Sequence, residues 1–263
     1  MSWDQLAEPG LTGGPSPAES RRFGVEVHRL TVGPGDLDVV GLRAAVEDSD
    51  ADVLVVRYDV VRQEVAAALA ASSRAVLPAG ALTYWETQVR DLPVGEPPRT
   101  VVVGAAALPD AVADAAVRAV VRASFTGYGN HYTADPLLDR RLALDGYEEW
   151  ALRSLARADH EVLVQLDGDR AVGVATVERA GTCAEVLLAG LVPAAQGRRL
   201  YGELLAAVER AALADGLDRL VISTQVQNVR VQRAWARHGL RPFAAVETVH
   251  LVRPEALRAV LGG

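Results

Sequence analysis

The stretch Leu191-Val-Pro-Ala-Ala-Gln196-Gly-Arg-Arg-Leu200-Tyr-Gly-Glu-Leu-Leu205 decides the fold. The apolar run over 185–192 reads as a strand that leads through Pro193 into a turn bearing one glycine and two arginines. The turn opens an amphipathic helix of about four turns, over 200–214. A helix N-terminus presents unpaired backbone N–H groups and the positive end of the helix dipole, which is what a pyrophosphate needs. Arg198 and Arg199 add charge at the same place. Strand, loop and helix is also the commonest α/β connection, so the stretch alone reads either as an anion site or as plain architecture.

The residues C-terminal to this helix narrow the choice. The helix ends near Asp215-Gly216, and a second strand covers 219–224. Asn228 then caps a helix over 229–238, which stops at Gly239 in a C′ position, and a last strand covers 245–252. This order resembles the GNAT superfamily of acyl-CoA-dependent N-acyltransferases, over roughly 101–252. The pyrophosphate-loop pattern of that family is Gln/Arg-x-x-Gly-x-Gly/Ala. Gln196 matches it, whereas Arg199 and Tyr201 stand where small residues are usual.

The resemblance implies an α/β fold: a mixed, mostly antiparallel sheet flanked by helices. It implies acetyl-CoA as the acyl donor and no metal. The pantetheine arm would extend the sheet along the backbone of Leu191 and Val192. The phosphates would meet Gln196, Gly197, Arg198, Arg199, Leu200, Tyr201 and Gly202, with Asn228 close by. The family commonly places a Tyr seven residues after the capping Asn, to protonate the departing thiolate. Here that position is Trp235, and an indole N–H has no usable acidity. Trp235 is therefore read as packing against the thioester arm or as core.

Composition bounds the rest. Half of the 263 residues are hydrophobic, yet no apolar run reaches 18 residues, so no spanning helix is expected. The polar N-terminus has no basic segment followed by an apolar one, so no signal peptide is expected either. Cys183 is the single cysteine, which fits a reducing cytoplasm; it reads as a small buried hydrophobe. All 27 basic residues are Arg, and the net charge is −7, which argues against a nucleic-acid partner.

The chain divides near 92–100. Residues 1–22 are rich in Gly, Pro and Ser and read as a flexible lead-in. A smaller α/β lobe over 23–95 alternates strands at 25–32, 52–57 and 73–77 with helices at 37–47 and 60–71. The Pro-rich segment 92–98 reads as a linker. The acyltransferase domain covers 99–263. It begins with a strand at 100–105 and helices at 110–123 and 141–158. A hairpin then turns at Asp167-Gly168, with strands at 161–166 and 171–178.

Between those two helices lies Phe125-Thr-Gly-Tyr-Gly-Asn-His-Tyr-Thr-Ala-Asp-Pro136. Its aromatic faces and interspersed donors suit a sugar or another flat polar ligand; they could equally plug the gap between two helices. The resemblance makes this the acceptor pocket, with Tyr128, His131, Tyr132 and Asp135 as substrate contacts. This loop, the preceding lobe and Thr224-Gln225-x-x-Asn228 are similar to the TDP-fucosamine acetyltransferase branch, which acylates nucleotide-linked amino sugars. Candidate bases are His131, His250, Glu247 and Glu185. His131 is favoured because it sits in the aromatic loop and an ordinary imidazole titrates near pH 6.5. The resulting reading is acyl transfer from acetyl-CoA to an amino sugar by direct attack. A non-catalytic acyl-CoA-binding module is the alternative, as is transfer to a non-sugar amine or a hydroxyl. The expected partners are CoA and a small-molecule acceptor, with no membrane partner. A free sheet edge in the N-terminal lobe allows a homodimer.

Overall fold

The computed structural model describes residues 3–90 and 98–262. The first part runs α1 (Trp3–Ala7), β1 (Leu11–Pro15), α2 (Pro17–Phe23), β2 (Val27–Val32), α3 (Val39–Glu47), β3 (Val53–Asp59), α4 (Gln63–Ala70) and β4 (Ala75–Gln88). The second part begins with β5 (Val101–Gly104), α5 (Asp110–Phe125), α6 (Arg140–Leu155), β6 (His160–Asp167), β7 (Arg170–Ala180) and β8 (Cys183–Leu191). It ends with α7 (Leu200–Ala214), β9 (Arg219–Gln225), α8 (Val229–His238), β10 (Arg241–Val252) and α9 (Pro254–Leu261). No helix among the described residues is long and apolar enough to cross a membrane.

The strands join into one sheet in the order β1-β2-β3-β10-β4-β9-β8-β7-β6-β5. Among the described residues only β2 with β3, and β8 with β9, run parallel. The near-continuous apolar run of β3 is what a central strand covered on both faces requires. One face carries Leu54 and Val56 against Leu42 and Val46 of α3 and Val65 and Leu69 of α4. The other carries Val53 and Val55 against Leu138 and Phe23. The largest core joins Val117, Val120 and Val121 of α5 and Leu200, Leu204 and Leu205 of α7 to Val164, Val174 and Leu220 of the sheet. Each such buried aliphatic side chain contributes about 1.5–3 kcal/mol.

The feature that makes room for a ligand is a defect in the sheet. Strand β8 pairs with β9 only from Cys183–Arg219 to Val186–Ile222. A register shift against β7, between Thr176 and Val177, puts a bulge at Leu187. Beyond it β8 and β9 part.

The structure departs from the sequence reading in several places. Residues 4–22 are not frayed: they form α1, β1 and α2, and β1 pairs with β2 along its whole length. The strand expected at 73–77 runs on to Gln88, and β4 binds β10 on one side and β9 on the other. The expected division near 92–100 is therefore bridged, because β10 from the C-terminal part sits between β3 and β4. The linker expected at 92–98 lies, but for Pro98, outside the described residues.

Candidate active site

The turn after β8 is stapled by its own side chains. A short 3-10 helix, Pro193–Ala195, leads to Gln196, whose Nε2 donates to the Leu191 carbonyl at 3.1 Å. The Gln196 Oε1 accepts from Arg230 of α8 at 2.9 Å. Gly197 takes φ +79° and Arg199 φ +66°, the latter alone among non-glycine residues described. Arg199 occupies the N-cap of α7 without a side-chain bond; its carbonyl accepts the Gly202 N–H at 3.1 Å, and the Leu200 and Tyr201 amides have no side-chain cap. Arg198 pairs with Asp167 at 2.8 Å, at the tip of the β6–β7 hairpin.

Two backbone assignments need correction. The Val192 N–H is taken by the Val172 carbonyl at 2.9 Å, and the Leu191 carbonyl by Gln196. The Val192 N–H is thereby closed to a ligand, and the Leu191 carbonyl keeps one lone pair. The Val192 bond also fixes the alternation along β8: residues 188, 190 and 192 face β7, so Ala189 and the Leu191 N–H face the opening.

A cavity of about 460 Å³ lies along this opening. Tyr201, Asn228, Val231 and Trp235 line the end nearest the turn. The middle is walled by Phe125, Tyr128, Tyr147 and Trp150 from α5, α6 and the loop between them. Phe125 stacks on Tyr147 with ring centres 5.0 Å apart, and the Tyr128 hydroxyl meets Thr224 Oγ1 at 3.1 Å. The far end holds Glu19, Arg22, Arg29, Arg57, His131 and Tyr132.

At the near end, Trp235 is 1% exposed and donates its indole N–H to the Tyr201 hydroxyl at 3.2 Å. Burial pushes the Tyr201 phenol up to about 12. Asn228 does not cap α8 with its side chain. Its Nδ2 donates to Thr224 Oγ1 at 3.0 Å instead, which ties the end of β9 to the helix start.

In the middle of the site Glu185 projects from β8, 5% exposed. Burial raises its carboxyl to about 7, although it accepts the Trp3 N–H at 2.6 Å. At the far end, Glu19 accepts from Arg29 Nε at 2.5 Å and from the Tyr132 hydroxyl. Burial works against that carboxylate, but the Arg29, Tyr132 and Ser16 bonds hold it down to about 2.

The predicted contacts of the aromatic loop separate into two groups. Tyr128, His131 and Tyr132 line the cavity; Asp135 and His250 do not. Asp135 is 3% exposed and lies behind His250, which is fully enclosed. This corrects both Asp135 as a substrate contact and His250 as a base. His131 Nδ1 meets His250 Nε2 at 2.9 Å, and His250 Nδ1 meets Asp135 Oδ2 at 2.9 Å. His131 does not titrate near 6.5. Burial first, then the charges of Arg57 and Arg29, force it well below that value and keep it neutral. Glu247 bonds Tyr58 and is not part of the cavity.

Glu19, Arg22, Arg29 and Arg57 escaped the sequence reading. One signal was present: Ser16-Pro-Ala-Glu19 has the spacing of a helix-opening box, with Pro at the first helical position. The box itself does not form: the Glu19 N–H goes to the Ser16 carbonyl at 3.0 Å, and Ser16 Oγ donates to the Glu19 carboxylate at 2.7 Å.

Residues 121–240 match the model of the Acetyltransferase (GNAT) family. No curated protein matches the sequence. A GCN5-related N-acetyltransferase from Kribbella flavida superposes with a TM-score of 0.56 at 16% identity, over 87% of this chain and 81% of that one. One from Sphaerobacter thermophilus gives 0.57 at 13%, over 93% and 78%. A functionally unknown conserved protein from Staphylococcus epidermidis gives 0.58 at 12%, over 96% and 98%. At such identities the likeness is one of fold. The matched family model spans less than half of the chain.

Proposed function

We propose that the protein transfers an acetyl group from acetyl-CoA to the amine of an amino sugar carried on a nucleotide, in the cytoplasm. The single observation that carries the acyl-transfer reading is the parting of β8 from β9 beside an uncapped helix N-terminus. The turn 197–201 fits the pyrophosphate through its amides, with Arg198 and Arg199 adding charge. The pantetheine arm fits along Ala189 and the Leu191 N–H, in place of the expected Leu191 and Val192 pairing.

The far end supports the acceptor. Arg22, Arg29, Arg57 and Arg153 line it beside Glu19, with Glu185 nearer the middle, and this surplus of positive charge favours a substrate with phosphate groups. The aromatic wall offers faces for a sugar or base.

Attack proceeds directly. The acceptor nitrogen adds to the thioester carbon, whose oxygen is polarised by a β8 amide at the opening. Glu185 takes the proton from the adduct as the C–S bond breaks, and a thiolate of ordinary pKa near 8.5 departs. Trp235 shapes the arm's channel and holds the Tyr201 hydroxyl.

The test is incubation with acetyl-CoA and a panel of amines, nucleotide-linked amino sugars included, following free thiol. The bulky Arg199 and Tyr201 at positions where small residues are usual favour one competing reading, a CoA-binding module without activity. That reading requires heat of CoA binding and no thiol with any acceptor. Thiol release with neutral amines or alcohols only would remove the nucleotide sugar.

A further inference from the structure

Behind the far end of the cavity three side chains stand in line, and direct attack with Glu185 as base leaves them without a task. Asp135 comes from the loop before α6, His250 from β10, and His131 from the 3-10 turn His131–Ala134. The three are 3%, 0% and 5% exposed. Asp135 Oδ1 accepts the Leu137 N–H at 3.0 Å, and Oδ2 faces His250 Nδ1 at 2.9 Å. A carboxylate only accepts, so His250 carries its proton on Nδ1 and presents a lone pair at Nε2. That lone pair, 2.9 Å from His131 Nδ1, fixes the next proton on His131 Nδ1. The chain therefore leaves His131 Nε2 as a bare acceptor on the residue that lines the cavity.

A proton cannot rest on His131. Arg57 on β3 and Arg29 on β2 face it, and Tyr132 packs against its ring at 3.9 Å. Glu19 on α2 is already held by Arg29 and Tyr132. An imidazolium there would sit buried among guanidinium groups, whereas Asp135 at the other end would be neutralised by the same charge.

We propose that Asp135, His250 and His131 form a proton relay that strips the acceptor's ammonium of its proton before attack. The proposal rests on the acyl-transfer reading and adds a step to it. An amine acceptor is an ammonium at neutral pH and has no lone pair with which to attack. Two protons must leave its nitrogen, one before attack and one from the adduct. Glu185 takes the second. For the first, the N–H bond breaks toward His131 Nε2 while the His131 Nδ1 proton moves to His250 Nε2. The His250 Nδ1 proton moves to Asp135 Oδ2, leaving a neutral amine, two neutral imidazoles with exchanged tautomers, and a neutral carboxyl. The nearby guanidinium groups make the ammonium more acidic and push in the same direction. After product release the proton returns through His131 to the cavity and solvent. His131 is the catalytic residue in this scheme; His250 and Asp135 act through it.

Two measurements decide the matter. Nitrogen-15 NMR of the ligand-free protein at pH 8 should show His131 and His250 both as Nδ1–H tautomers. An Nε2–H tautomer or an imidazolium at His131 overturns the relay whatever the activity. Acceptor kcat/KM should then be followed from pH 6 to 9. Between the Glu185 pKa of about 7 and the pKa of the amine the wild type should be nearly flat. Asp135→Asn and His250→Gln should instead fall about tenfold per pH unit there, converging with the wild type above that pKa, because they use only amine already free in solution. A uniform loss at every pH, or profiles parallel to the wild type, would show a merely structural role. Wild-type protein that releases no thiol with any amine defeats the acyl-transfer reading itself, and the tautomer spectrum separates that failure from this one.

Discussion

Arg199 spends a backbone conformation that L residues avoid, φ +66°, at the first position of the phosphate turn where the related pattern has glycine. A left-handed residue other than Gly costs roughly 1–2 kcal/mol, so Arg199→Gly should stabilise the fold by about 1 kcal/mol in urea denaturation. No gain would mean that the arginine side chain compensates for its backbone. Glu185 shows the reverse economy, a buried acid whose charge is penalised. Its folded pKa, about 7, lies above the ordinary 4.5, so between those values the folded state binds more proton than the unfolded chain. Its stability contribution is complete below 4.5 and lost as pH rises through 7, a change of at most about 3 kcal/mol. Glu185→Gln should therefore match the wild type at pH 4.5 and be the more stable at pH 8. The same variant should lose about 10²–10⁴-fold in turnover at pH 8 if the carboxylate takes the adduct's proton. A variant that gains stability at pH 8 but keeps its turnover would leave Glu185 a buried acid without a catalytic part.

At the scale of the element, α7 and α8 divide the proposed donor end between them. Arg198 is already paired with Asp167, so its charge is aimed by the hairpin tip and its loss from the turn is partly offset there. Changing Arg198→Gln and Arg199→Gly together removes both charges without adding backbone strain. CoA affinity should drop by about 1–3 kcal/mol in calorimetry, the range for charge-assisted bonds. Unchanged affinity would assign the phosphates to the backbone amides alone. Trp235 anchors α8 against Trp85, ring centres 6.0 Å apart, and is its one buried residue. Trp235→Ala should cost about 3–5 kcal/mol, whereas Trp235→Phe should keep the fold and most turnover. These two helices were legible in the sequence: α7 matches the expected 200–214 and α8 the expected 229–238. Periodicity, the Asn228 start and the Gly239 stop, at φ +101°, were all written locally. The bonds Asn228 and Val192 make were not, because they depend on strands far away in sequence.

The whole molecule closes the proposed acceptor end with parts that local patterns conceal. Strand β1, Leu11-Thr-Gly-Gly-Pro15, resembles a loop in composition. Gly13 is required there for contact rather than for a turn: a Cβ would lie 2.0 Å from the Arg29 carbonyl. Pairing with β2 brings Ser16 and Glu19 to the cavity, and α1 lays Trp3 beside Glu185. Likewise His250 is 115 or more residues from both His131 and Asp135, across the β10 junction, so their types could be suspected from sequence but not their line. β1 is also the sheet edge through which a homodimer would form, and sedimentation over a concentration range tests that. Deleting residues 1–9 probes how far this cover sets the chemistry. It removes α1, leaves β1 in place, and exposes Glu185 to water while taking away the Trp3 N–H bond. Rehydration lowers a carboxyl's pKa and loss of the donor raises it; burial is the larger influence on Glu185, so the net shift is downward. The acidic limb of kcat, expected near pH 7 in the full chain, should move toward the ordinary carboxylate range, while CoA affinity at the distant phosphate turn stays unchanged. A limb that remains near pH 7 in the shortened protein would show that a group other than Glu185 sets it.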